Sequence, residues 1–264
     1  MTTREPALIA AGDPPGEYPV YFYEKTTSSL DAAWRLIEEG ALPIWGSTLA
    51  RRQTAGRGRM GRVWQSPPGH VYGAIRLPAA RPFDGPGASL ALAFVLSEAL
   101  NGFGEFLIKW PNDLIYGGGK AGGLLLESRG ATLTAGIGLN LVAPPAGEWV
   151  GRREPGAPPP SALPASETPE ELWSGLVKKI ILLYDKKFGA MGMEELSRLA
   201  ERRLLWRGLN VIIRQPATEP AQTGAGPLRG RIAGLCPAGS LLIHSGQREY
   251  RVWSGSVCLD YFQN

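Results

Sequence analysis

The sequence is short of several things, and each shortage closes off a class of protein. Cysteine occurs twice in 264 residues, as Cys236 and Cys258. Two cysteines cannot staple a chain of this length, so we expect reduced thiols and a cytoplasmic protein. No apolar run reaches the ~18 residues of a membrane-crossing helix, so no membrane is expected as a partner. The first residues lack the basic stretch followed by an apolar one that marks an export signal. Charge of one sign is scarce as well. The 28 basic and 24 acidic residues leave a net +4, too mild a surplus for the counterion release that drives nucleic-acid binding, and no DNA partner is expected.

What is present is a 44% hydrophobic composition, enough for a proper core. The length fits one large domain or two unequal ones. Residues 1–17 carry breaks at Pro6, Pro14 and Pro15 and no apolar period, and are expected as a loose leader. Tyr18–Tyr23 is expected as a strand. Leu30, Ala33, Trp34 and Ile37 then fall at helical spacing up to a stop at Gly40, with Ser28 and Asp31 placed as a capping box. Capping alone would explain the hydroxyls of Thr27, Ser28 and Ser29, and so would a polar ligand at the helix N-terminus.

Further along, Val71–Leu77 is expected as a strand and residues 88–100, apolar almost all round, as a buried helix. Short strands are expected at Phe106–Lys109, Leu114–Tyr116, Leu124–Glu127 and Ala131–Leu139. Residues 143–170, rich in proline, glycine and alanine, are expected as a mobile surface loop. Thr168, Pro169 and Glu171 open another helix, with Leu172, Leu176, Ile180 and Leu183 as its buried stripe, and residues 193–203 make one more. Beyond Leu209 the pattern turns to five short strands: Asn210–Arg214, Arg231–Leu235, Leu241–His244, Tyr250–Trp253 and Ser256–Leu259. The fold class that follows is α+β, a mixed sheet with helices on one face plus a small C-terminal β-barrel. The boundary is placed near residue 204, giving domains 1–203 and 204–264.

The stretch most suggestive of chemistry is Gln53-Thr54-Ala55-Gly56-Arg57-Gly58-Arg59-Met60-Gly61-Arg62-Val63-Trp64. Glycines let a backbone approach a ligand closely, and arginines present planar donor forks to phosphate or carboxylate oxygens. No Gly-Lys-Ser/Thr follows, so this is not a phosphate loop of the nucleotide-hydrolase kind. The plain alternative is an exposed basic turn or an arginine–glycine segment that touches RNA, although such segments usually come as repeats. Three further segments are each weak alone: Lys109-Trp110-Pro111-Asn112-Asp113, a lysine in a glycine turn at Gly117–Gly123, and Gly136-Ile137-Gly138-Leu139-Asn140. Lys120, in that glycine turn, could neutralise a carboxylate or a phosphate.

In this order the four segments, the third running on as Lys120-Ala121-Gly122-Gly123-Leu124-Leu125-Leu126-Glu127, resemble the motif series of the biotin protein ligases, in the form without an N-terminal DNA-binding domain. The resemblance covers residue 20 or so to the end, including an SH3-like barrel marked by Gly234-Leu235, Gly239-Ser240-Leu241-Leu242 and Trp253-Ser254-Gly255. It implies an ATP-dependent ligase that forms biotinyl-5'-AMP with Mg²⁺ assisting. The biotin would then pass to a lysine of a biotin carboxyl carrier protein, of acetyl-CoA carboxylase or a similar enzyme. Carried over by position, Lys120 and Arg57 would be catalytic. Thr27, Ser28, Ser29, Gln53, Gly56, Arg57, Gly58, Arg59, Lys120 and Gly123 would bind biotin. Arg57, Arg62, Trp64, Asn112 and Asn140 would serve ATP, and the 57–64 loop would close as a lid over the adenylate. No residue is assigned as a metal ligand, and a monomer or a homodimer would suit. The chain departs from the family at Thr27-Ser28-Ser29, commonly Ser-Thr-Asn. It also departs at His70, read here as a surface-turn residue, and at Asp260, where a basic residue is usual. Two other readings stay open: a lipoate or octanoyl ligase or transferase of the same fold, and a sensor that binds biotin or its adenylate without transfer.

Overall fold

The computed structural model describes residues 7–10, 18–142, 155–219 and 226–261. A mixed eight-stranded sheet is built from β1 (Ala7–Ala10), β2 (Val20–Tyr23), β3 (Ser47–Ala50), β4 (Val71–Leu77), β5 (Leu107–Lys109), β6 (Asp113–Tyr116), β7 (Gly119–Arg129) and β8 (Thr132–Leu139). Their order is β1-β2-β3-β4-β8-β7-β6-β5. Only β2 and β3 run parallel, joined by helix α1 (Ser29–Glu38) as a crossover; the other pairs are antiparallel.

Two glycines show how the layers stack. A Cβ on Gly73 of β4 would lie 2.4 Å from the Trp173 ring, and one on Gly136 of β8 would lie 2.7 Å from Leu30. Gly136 is registered with Ala74, not Gly73, so these two approaches come from opposite sides of the pleat. Helix α1 covers one side, with Leu30, Ala33 and Leu36 against Ala74. Helices α2 (Ala88–Ala99) and α3 (Pro169–Leu183) cover the other, over Val71, Ile75, Leu77, Leu124 and Ile137. Helix α4 (Met193–Glu201) packs against α2. Placing the helices on one face therefore needs correcting for α1, which the parallel β2–β3 crossover carries to the opposite side.

Three other expectations change. Residues 7–10 of the expected leader pair with β2 as an edge strand, Ala7 opposite Phe22; the remainder of residues 1–17 lies outside the described residues. Strand β7 begins at Gly119, so Lys120 sits in a strand, and only Gly117 and Gly118, with positive φ, make the turn. The described part of the expected surface loop, from residue 155, lies along the sheet and buries Leu163; residues 143–154 lie outside the described residues.

The last strands, β9 (Asn210–Glu219), β10 (Leu228–Leu235), β11 (Leu241–Ser245) and β12 (Arg248–Leu259), close as a barrel in the order β10-β11-β12-β9. The two final strands read from the sequence are one strand. It kinks through register shifts on either side of Ser254, next to Gly255 at φ 143, as a bulged strand does when it turns a barrel corner. Val211, Ile213, Ile232, Leu241, Ile243 and Val252 fill the barrel. Residues 203–205 pair with Ile108 of β5, and Trp110 Nε1 donates to Gly239 O at 3.0 Å, tying the sheet's last turn to the barrel. Cys236 and Cys258 are buried thiols. Among the described residues, no helix is long and apolar enough to cross a membrane.

Candidate active site

The glycine–arginine stretch is a small β-hairpin on the α1 side of the sheet. Trp64 N donates to Gly56 O at 2.9 Å and Gly58 N to Arg62 O at 2.7 Å, with Arg57 bridged to Val63. Met60 and Gly61 at its tip both have positive φ, 58 and 70. That is the requirement of the two-residue turn whose twist matches its flanking strands. Gln53 fastens the hairpin's root. Its Oε1 accepts from Ser29 N at 2.7 Å and Ser29 Oγ at 3.2 Å, and its Nε2 donates to Ser66 Oγ at 2.8 Å.

Ser28 caps α1, accepting from Asp31 N at 3.0 Å. The Asp31 carboxylate does not complete the expected capping box, because it faces Arg57 instead, 2.6 Å from Nη1. Arg57 also donates to Ser28 Oγ at 2.9 Å, and its Nε and Nη2 reach the two oxygens of Glu127 at 3.0 and 3.2 Å. Trp34 Nε1 adds a bond to Glu127 Oε2 at 2.9 Å. The hydrogen bond to Glu127, more than the pairing with Asp31, raises the Arg57 pKa against the opposing effect of burial. Burial pushes the Asp31 carboxyl up, but bonds from Thr27 and Arg57 hold it below the usual carboxylate range. Every nitrogen of the Arg57 fork is thus engaged by the chain's own oxygens. Its neighbour two residues on is placed differently.

That neighbour, Arg59, is half-buried and donates from Nη1 to Asn112 Oδ1 at 2.9 Å. Desolvation lowers its pKa, partly opposed by Asp113. Asp113 is buried between two lysines, Lys120 Nζ at 2.8 Å and Lys109 Nζ at 3.5 Å. Burial would raise its pKa; Lys120 first and Lys109 next hold it down instead. Three cations (Arg59, Lys109, Lys120) thus surround one carboxylate, and such a surplus in a partly desolvated place is where an anionic ligand is stabilised.

Trp64 lies against a floor of glycine. A Cβ on Gly138 would be 2.6 Å from its ring and one on Gly123 would be 3.4 Å away; Gly123 and Gly138 are register partners. Lys120 Nζ lies 5.2 Å from the Trp64 ring centre, within cation–π range. Arg62 and Thr27 are exposed. The amide of Asn140 donates to Lys120 O at 3.1 Å and Ser161 O at 3.0 Å. His70 lies in a bend before β4 but is half-buried, and its Nδ1 accepts from Leu141 N at 3.1 Å. Asp260 is buried at the barrel's end and ion-paired with Arg229. The residues that motif reading missed are Asp31, Trp34, Ser66, Asp113 and Glu127. Only Asp113 and Glu127 had a visible signal, as the last residues of two motifs.

These parts make an arginine hairpin over a glycine-floored strand pair, with three cations converging on Asp113. Residues 22–141 match the model of the biotin/lipoate A/B protein ligase family. The chain is 43% identical over 125 residues to a biotin–[acetyl-CoA-carboxylase] ligase of Paracoccus denitrificans, covering 42% of this chain and half the length of that relative. To the bifunctional ligase/repressor BirA of Bacillus subtilis it is 26% identical over 256 residues, 92% of this chain and 74% of that protein. The biotin protein ligase from Aquifex aeolicus in complex with biotin and ATP superposes with a TM-score of 0.66 at 25% identity, covering 91% of this chain and 98% of that one.

Proposed function

We propose that the chain is an ATP-dependent biotin–carboxyl carrier protein ligase. The observation that carries the reading is the convergence of Arg59, Lys109 and Lys120 around the single buried carboxylate of Asp113, beside Trp64 on its glycine floor. Both reactants of the first step are anions, a biotin carboxylate and the magnesium complex of ATP. Bringing them together requires cations aimed where charge accumulates.

In this reading biotin lies by the α1 N-terminus, against Thr27, Ser28, Ser29, Gln53 and the backbone of Gly56–Arg59, with Gly123 beneath. A carboxylate oxygen forms a bond to the α-phosphorus of ATP and pyrophosphate leaves. Arg59 and Lys120 take the catalytic places, neutralising the carboxylate and the α-phosphate. Arg57 serves at the root of the hairpin, held by Asp31 and Glu127. Trp64, Asn112 and Arg62 face the nucleotide, and the hairpin keeps water from the mixed anhydride. In the second step an uncharged lysine amine of the carrier attacks the acyl carbon, AMP leaves, and the amide nitrogen loses a proton.

The test is to incubate the protein with ATP, Mg²⁺, biotin and a biotin carboxyl carrier domain, and to weigh the carrier. One lysine should gain one biotinyl group. No gain with biotin, or gain from lipoate alone, overturns the reading.

A further inference from the structure

The pairing of β8 with β7 runs out at Asn140, and a distant segment takes over beside Lys120. Lys120 N donates to Pro159 O at 2.6 Å and Ser161 N donates to Lys120 O at 2.8 Å, with Lys120 and Pro160 bridged in parallel. This strap is fastened further on, where Leu163 N donates to Asn140 O at 2.8 Å and Leu163 buries its side chain at 2% exposure. On the opposite edge of β7, Lys120 faces Ile115 beside a bulge in the β6–β7 ladder. A lysine next to a bulge is where a strand is least constrained by its own sheet. Here the missing constraint comes from the strap.

Asn140 ties these parts together. Its backbone N donates to Ala121 O at 2.8 Å, and its side-chain amide donates to Lys120 O at 3.1 Å and Ser161 O at 3.0 Å. A primary amide has two N–H donors, and both are engaged here. Within the side chain, that leaves the carbonyl oxygen Oδ1 as the group open to a ligand. Lys120 carries its charge on a flexible four-carbon stem, so the position of its ammonium beside Asp113 and Trp64 depends on how firmly its backbone is set.

We propose that Asn140 and the strap of residues 157–163 are positioning elements for Lys120, fixing its backbone so that the ammonium stands at the anion site. This rests on the reading of Lys120 given above, and it assigns a purpose to a segment that shows no motif in the sequence. A misplacement of about 1 Å in a catalytic group costs roughly 100-fold in rate. The strap is thus a determinant of turnover, distinct from nucleotide affinity.

The experiment uses the full chain and biotin-dependent exchange between ATP and pyrophosphate. Asn140→Ala should lower kcat roughly 10- to 100-fold while KM for ATP stays within about twofold, the pattern of a lost transition-state contact. Adding Asn140→Ala to Lys120→Ala should cost nothing further, because residues that act through one group are not additive. A second readout needs no turnover. Labelling with an amine-reactive reagent, followed by mass spectrometry, should show Lys120 reacting at a changed rate in Asn140→Ala, with exposed Lys178 as internal reference. If the alanine variant does not fold, Asn140→Ser, which keeps one donor, should show the same pattern at smaller amplitude. A raised ATP KM at unchanged kcat, an additive loss in the double variant, or unchanged labelling would overturn the proposal. Full exchange activity in Lys120→Ala would instead count against the ligase reading, leaving the labelling result to decide the strap's role.

Discussion

Arg57 meets Glu127 along two parallel bonds, Nε to Oε1 at 3.0 Å and Nη2 to Oε2 at 3.2 Å. The same guanidinium closes on Asp31 at 2.6 Å. One side chain thereby joins the hairpin, the start of α1 and strand β7. Arg57→Ala would leave two carboxylates facing each other with no cation between them. The side chains are about a third exposed, so the cost is set at about 1–3 kcal/mol. Arg57→Lys should recover less than half of it, since a point charge cannot span both acids. Urea denaturation of the three proteins measures this, and a lysine variant as stable as the wild type would refute the fork's role.

The two faces of the sheet yield a paired prediction. Gly73→Ala pushes a methyl group into Trp173 in the core and should cost about 1–3 kcal/mol of stability, as overpacking does. The folded fraction should keep its activity. Gly138→Ala pushes the same methyl group into Trp64 at the site. Trp64 is only half-buried and can move, so stability should fall less and biotin-dependent exchange should fall about 10-fold or more. Denaturation and exchange assays on both variants decide it, and the reverse pattern would count against the placement of Trp64.

Much of this was legible in the sequence because the signals were local. The capped start of α3 at Thr168 and Glu171 depends on residues three apart, and the all-apolar α2 could only be a core helix. Residues of separate motifs do meet, Lys120 beside Trp64 and Arg59 beside Asn112. What was hidden was non-local. Strand β1 exists because β2 offers an edge to Ala7–Ala10, and no pattern within four residues states that. Lys120 reads as a turn residue because glycines surround it. The strand around it is maintained by Pro159 and Ser161, some forty residues away in the chain. The engagement of Arg57 depends on Asp31 and Glu127, and a motif cannot say whether an arginine faces a ligand or its own fold.

His70 should make stability depend on pH. Burial holds its folded-state pKa below the unfolded value of about 6.5, and its Nδ1 lone pair accepts from Leu141 N. As pH falls below about 6.5 the unfolded chain takes up the proton first, so stability declines until pH passes the folded pKa. The slope from one such group is at most about 1.4 kcal/mol per pH unit. Wild type and His70→Asn should converge at pH 5.5 relative to their difference at pH 7.5. Parallel curves across that range would exclude the contribution.

Asp113 is the one carboxylate that the site's three cations share, and its replacement separates fold from ligand. Its pKa is held below the unfolded value. Its stabilisation is therefore complete above about pH 4 and lost as pH falls through the folded value. Asp113→Asn at neutral pH leaves Lys109 and Lys120 without their counter-charge, and breaking a buried pair of this kind costs about 3–5 kcal/mol. An anion that binds only the folded protein offsets such a loss by mass action. Inorganic pyrophosphate, the product of the proposed first step, should therefore raise the melting temperature of Asp113→Asn by more than that of the wild type. Thermal melts at increasing pyrophosphate measure the difference. An equal shift in both proteins would mean that Lys109, Lys120 and Arg59 do not form an anion site; an unshifted but destabilised variant would leave Asp113 with a purely structural role.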